Sequence, residues 1–599
     1  MTTMRIGRHA ARHGLAGAIL ACCLALGAPA WAQQASPSPT ESTVMNLIRL
    51  LVQQGVITQA SADSLIKQAQ DEAAQAKAAS AAPTAPGANL PPAAPGVVRV
   101  PYVPEVVKNQ IRDEVRQEVI QQAQAEHWAS PNLLPDWLDG IEINGDFRVR
   151  DEFDVYGKGN SGGPTGALVD YATFNSSGPT DINDVTNPNG LPVLNTLTNR
   201  PNNFILRARL GLTAKVSDEV TAGVRIATGR DNGPVSTNQI LGGGFGKKDL
   251  WLDLAYVNIA PTSWAQVSLG RMLNPFVHTD LVYDDDLNFD GAAASLKAGL
   301  FDDGRLGLAA TAGAFPIEYS AANFPTNSFD KAGTKAKWLY GGQLAADLRV
   351  TEDVHLKLAG AYYDFNRVQG QISTPCALYN GNKQCSSDTT RPAFMQKGNT
   401  LILLRNIQPD PSNPLNFAQP QFVGLAFDYN LLDLNAGIDW KMFGQTLTLQ
   451  GNYVRNLGYK ASQVCAHAPS VLPLTNVLLS PLGNPDPCST PPAGDAKATF
   501  QSGPNAWMVK ASFGTPKPSK FGEWNIAAGY RYTQPDAVVD GFNDSDFHLG
   551  GTNAKGYFVS GSLGLYKNTW LTARWMSSNE VYGPPLAIDV GQIDLNVGF

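Results

Sequence analysis

The chain has 599 residues, a formal net charge of −7, only 16% charged residues, and 57 glycines and 41 prolines. This balance gives no footing for nucleic-acid binding and suits a soluble enzyme poorly. A mean hydropathy of −0.17 excludes a bundle of membrane helices. Many strands joined by turns and loops fit best.

Residues 1–32 read as a secretory signal. Arg5, Arg8 and Arg12 form the charged start, residues 14–30 the apolar stretch, and Ala30-Trp31-Ala32 the cleavage site, leaving Gln33 first in the mature chain. Lipoprotein processing at Cys22, after Leu20-Ala21, is the rival and would leave a very short apolar core. The run is shorter than the roughly 20 residues that span a bilayer as a helix.

Residues 33–80 read as a periplasmic helical hairpin. Val44, Leu47, Ile48, Leu51 and Val52 recur at helical spacing, Gly55 interrupts them, and a second helix starts at Thr58. Residues 81–104 form a linker rich in Pro and Ala. Residues 105–127 are amphipathic, with an apolar seam of Val107, Ile111, Val115 and Val119. The seam suits a coiled coil, and a lone spacer helix fits it almost as well.

From 138 to 599 the hydrophobic period changes to two. In 140–156, Ile141, Ile143, Phe147, Val149 and Phe153 share one face, and Glu142, Asn144, Asp146, Arg148, Arg150 and Glu152 the other. Further strands are expected at 202–216, 219–230, 249–260, 264–272, 287–298, 305–316, 338–350, 353–366, 431–443, 445–458, 504–515, 522–533, 554–567, 568–577 and 590–599. No set of core helices exists to cover so many apolar faces. The fold expected is therefore an all-β transmembrane antiparallel barrel of about sixteen strands, preceded by a short periplasmic α-helical region, because a closed barrel leaves no strand edge unpaired in lipid.

Short connections alternate with long ones, which puts the long loops outside the cell and both termini in the periplasm. Trp251, Tyr256, Tyr362, Trp440, Tyr453, Trp524, Tyr530, Tyr532, Tyr557 and Trp575 lie on or near strand ends, as interfacial aromatics do. Cys376 with Cys385, and Cys465 with Cys488, fall as two pairs inside long loops and read as two disulfides. A metal site that uses His467 beside Cys465 is the weaker alternative. No nucleophile motif accompanies His127, His278, His355, His467 or His548, so no enzymatic activity, cofactor or metal is expected.

The last strand, with Ile593, Leu595 and Val597 alternating with polar residues, ends on Phe599. A terminal Phe on such a strand resembles the signal that outer-membrane barrels present to the barrel-assembly machinery. Residues 138–599, and above all GRMLNPFVHTDLVYDDDLNFDGAA near residue 280, resemble the "putative porin" family of large outer-membrane barrels. The resemblance implies an outer-membrane location among lipid and lipopolysaccharide. It implies a water-filled channel for passive diffusion of ions and small hydrophilic solutes. A homotrimer would be in keeping, and the helical seam would fit one. Rival functions are a channel selective for small anions, and a barrel that anchors a periplasmic tether to the cell wall or to partner subunits.

By strand parity Arg148, Arg150, Arg207, Arg209 and Arg225 point inward as a basic cluster. The family implies that the third external loop folds into the barrel. Asp280, Asp284, Asp285 and Asp286 would then confront those arginines across a constriction. A solvated acidic loop and a divalent-cation site are the alternatives, and the regular ligand spacing of a calcium loop is missing.

Overall fold

The structure, a computed structural model, describes residues 140–160, 168–230, 233–301, 304–319, 336–460, 473–474, 502–583 and 585–599. The expected signal, hairpin, linker and seam helix, and the Cys465–Cys488 pair, lie outside them.

Sixteen long strands form the wall. They are β1 (Ile141–Tyr156), β2 (Arg200–Lys215), β3 (Val220–Thr228), β4 (Leu250–Thr262), β5 (Ala265–Leu273), β6 (Asn288–Leu300), β7 (Leu306–Glu318) and β8 (Lys337–Arg349). They continue as β9 (Val354–Asn366), β10 (Tyr429–Met442), β11 (Gln445–Asn456), β12 (Asn505–Gly514), β13 (Trp524–Thr533), β14 (Ala554–Tyr566), β15 (Thr569–Glu580) and β16 (Ile588–Gly598). Each pairs antiparallel with its neighbours in sequence. β16 returns to β1 from Asp146↔Gly598 to Tyr156↔Ile588, so the sheet closes. Phe599 completes the seam: its N–H and C=O bond the backbone of Gly145, and its ring stacks on Phe147 at 5.8 Å.

The period-two pattern causes the two-faced wall. Ile143, Phe147, Val149, Leu210, Leu344, Ile526, Ile593 and Leu595 are exposed on the outside, while Arg150, Asp433 and Arg531 are buried inside. Among the outward aromatics are Tyr362, Trp440, Tyr453, Tyr530 and Tyr557. The carboxylate of Asp151 lies on the outward face, opposite Ile593 and Phe204.

Long loops crowd one end of the barrel. The second spans residues 229–249 (L2), the third 274–287 (L3), the fifth 367–428 (L5) and the seventh 534–553 (L7). Cys376 and Cys385 form the expected disulfide within L5. L3, L5 and L7 turn inward and pack against the inner faces of β6–β9, giving one large apolar cluster. The turn into L3 is prepared by Gly270 on β5 and Gly291 on β6. These glycines pair across the strands and both have positive φ (107° and 141°). A Cβ on either would stand within about 2.4 Å of a neighbouring carbonyl oxygen, so only glycine fits.

Candidate functional site

L3 is held by apolar anchors first. Phe276 meets Tyr363, Phe315 and Phe289 edge-on at 5.1, 6.0 and 6.3 Å. Gly341 makes room for that ring: a Cβ there would be 2.6 Å from it. Leu281, Val282 and Tyr283 are almost fully buried. Burial of each such side chain contributes about 1.5–3 kcal/mol, more than any exposed ion pair. The Gln343 side chain clamps the loop backbone, accepting from Val277 N and donating to Val277 O, both at 2.7 Å. Thr279 Oγ1 donates to Asn452 Oδ1 at 2.6 Å.

The acids of L3 then set its orientation. Asp286 accepts from Arg209 Nη1 at 3.1 Å, Arg207 Nη1 at 3.4 Å and Thr237 Oγ1 at 3.1 Å. Both arginines also donate through Nε to Asp146, at 2.6 and 3.0 Å. Instead of confronting the arginines across a gap, this acid touches them and compensates their charge. Asp280 binds elsewhere, 2.7 Å from Arg531 Nη2 on β13, whose Nη1 donates to Asp544 of L7 at 2.8 Å.

Asp284 meets no arginine. It lies under L7, accepting from Ser545 N at 2.9 Å and Asp286 N at 2.8 Å. Burial, with Asp544 and Asp286 nearby, pushes its carboxyl up to about 9. Asp285 does the opposite: its side chain is 90% exposed, with His278 Nε2 3.7 Å away. The contact with His278, against some desolvation and helped by Lys510 and Arg574, holds its carboxyl below the usual range.

The remaining predicted residues are dispersed. Arg150 is fully buried, bonded through Nε to Asp594 at 2.8 Å and through Nη1 to Asp546 of L7 at 3.0 Å. Arg148 Nη2 donates to Asn238 of L2 at 2.5 Å. Arg225 Nε donates to Asp253 at 2.5 Å. Of the four L3 acids, only Asp286 bonds the basic cluster of β1–β3.

The residues that dock the loops escaped the sequence reading, although a signal was present. At the loop ends of β6–β9 the inward positions Phe289, Phe315, Leu339, Tyr363 and Phe365 are apolar where alternation calls for polar side chains. All five are buried under the loops. A cavity of about 810 Å³ adjoins L3. Val277 of L3 and the wall residues Lys297, Asp347, Lys357 and Asp439 line it. A second cavity of about 690 Å³ lies at the loop end, bordered by Arg230, Trp251, Arg271 and Phe394.

A family profile described as "putative porin" matches residues 41–599. No curated protein matches significantly. Among solved structures, OprB of Pseudomonas putida is 11% identical over 78% of this chain and 96% of its own, with a TM-score of 0.38. OmpF of Salmonella typhi, in complex with daunomycin, is 10% identical over 77% and 99%, with a TM-score of 0.35. The outer membrane channel DcaP of Acinetobacter baumannii is 9% identical over 77% and 98%, with a TM-score of 0.34.

Proposed function

Because the chain belongs to the putative porin family, we propose that it forms a water-filled channel through the bacterial outer membrane for ions and small hydrophilic solutes, narrowed by L3. The observation that carries this reading is the loop itself. It is anchored inside a closed barrel by Phe276 and Tyr283, and a cavity of about 810 Å³, into which Lys297, Lys357 and Asp439 of the inner wall reach, adjoins it. A barrel of about sixteen strands is wide enough for an aqueous lumen rather than a packed core. Charge at a narrowing bounded by low-dielectric walls then selects ions by sign.

Purified protein added to a planar bilayer should give stable, stepwise conductance in potassium chloride. A bilayer that stays silent would favour the barrel as an anchor for a periplasmic tether. Strong anion selectivity carried by the arginines of β1–β3 is the less supported alternative, since Asp146, Asp286, Asp253, Asp594 and Asp546 already compensate most of them. Assembly as a homotrimer belongs to the same reading, and the mass of the detergent-extracted protein tests it.

A further inference from the structure

Charges that steer a passing ion must be both open to the lumen and free of a bonded counter-ion, because a tight pair presents little net field. The arginines of β1–β3 do not meet that condition. Arg207, Arg209 and Arg225 are each bonded to carboxylates and are only 15–17% exposed. Asp285 differs: it is 90% exposed, and its one contact among the described residues is a long one, 3.7 Å to His278 Nε2, a group charged only when protonated. Lys510 lies on β12 between Gln450 and Gly529, on the inward face shared with the buried Ala506 and Met508. It is exposed and has no hydrogen bond or ion pair among the described residues.

Arg574 of β15 shares that part of the wall. The register runs Arg574–Ser560–Ala527–Ser512 across the strands, and Lys510 is the next inward position on β12. The side chains between the two cations are therefore small, which leaves room for a passage. Arg574 is 38% exposed and, among the described residues, holds one long contact, 3.4 Å to Asp546.

We propose that the selective narrowing of the channel lies between Asp285 of L3 and the β12–β15 wall, with Lys510 as its main anion-attracting residue and Arg574 as its second. This rests on the channel reading above. A mobile anion approaches Lys510 and Arg574, and a cation approaches Asp285. The sign of the selectivity follows from the balance of these groups, whereas the arginines of β1–β3 position L3.

The test is the reversal potential of the full chain in a planar bilayer under a potassium chloride gradient. K510Q should lower the chloride-to-potassium permeability ratio about twofold to threefold, and D285N should raise it by a similar factor. K510R should keep the wild-type ratio, and K215Q, a change at the end of β2 remote from the loops, should also leave it unchanged. Conducting K510Q and D285N channels with the wild-type ratio would overturn the assignment and leave the channel standing. If K510Q fails to insert, D285N and K510R decide alone. A shift on D285N with none on K510R supports the assignment, and no shift on D285N overturns it. A wild-type protein that never conducts would overturn the channel reading itself.

Discussion

Three consecutive acids show how much a residue's surroundings decide. In the sequence Asp284, Asp285 and Asp286 look alike. In the fold Asp286 neutralises two arginines, Asp285 stands in the open, and Asp284 is buried beneath L7. Their partners Arg207, Arg209 and Ser545 are far away in the chain, so no local pattern could separate them. The difference has a pH consequence. Docked Asp284 keeps its proton up to about 9. In a released, solvated L3 it would ionise near 4, the ordinary carboxylate value. Between these limits docked L3 binds one more proton than released L3, so rising pH favours release. Docking is strongest with respect to this group below pH ~4 and weakens as pH rises toward ~9, by up to about 1.4 kcal/mol per pH unit. Wild-type channels should therefore show more frequent openings to a larger conductance as pH is raised from 6 to 9. D284N, which keeps a neutral side chain of the same shape, should flatten that dependence. An unchanged slope in D284N recordings would count against Asp284 as its source.

At the scale of elements, strands and loops differ in how they could be read. The sixteen strands were legible because each carries its own instruction: an apolar face toward lipid and a polar face toward water. Their ends match the expected ones within a few residues. The inward course of L3 was not written in the loop alone. It needs the apolar inner ends of β6–β9, where Phe315, Leu339, Tyr363 and Phe365 break the alternation and offer a dry surface. L5 and L7 close over the same surface. Asn399 of L5 donates to Pro535 O and Val538 O of L7 at 2.7 and 2.8 Å. Apolar burial rather than ion pairing thus dominates the docking energy. Removing Tyr283, which packs edge-on to Phe289 and Tyr363 at 5.2 Å, should cost the loop about 3 kcal/mol. Y283A channels should conduct more and show more current noise, while the heat resistance of the barrel in gel-shift assays stays the same. A drop in that resistance with unchanged conductance would mean that Tyr283 supports the wall instead of the loop.

For the whole molecule, closure is the decisive fact. Among the described residues the sixteen wall strands lie within 141–598, and Phe599 seals the β1–β16 junction through its backbone and its ring. Each of the sixteen strands is then paired on both sides within this one segment, as a stable membrane barrel requires. The family match extends back to residue 41, ahead of the first strand of the closed sheet. A protein that retains an export signal but lacks residues 41–125 should therefore still insert and give single-channel steps of the full-length size and selectivity. The deletion would instead change what depends on the segment outside the wall, such as the mass of the extracted assembly. Lost or smaller steps from a correctly inserted deletion protein would show that closure of the sheet is not sufficient for conduction and that the N-terminal segment contributes to the passage.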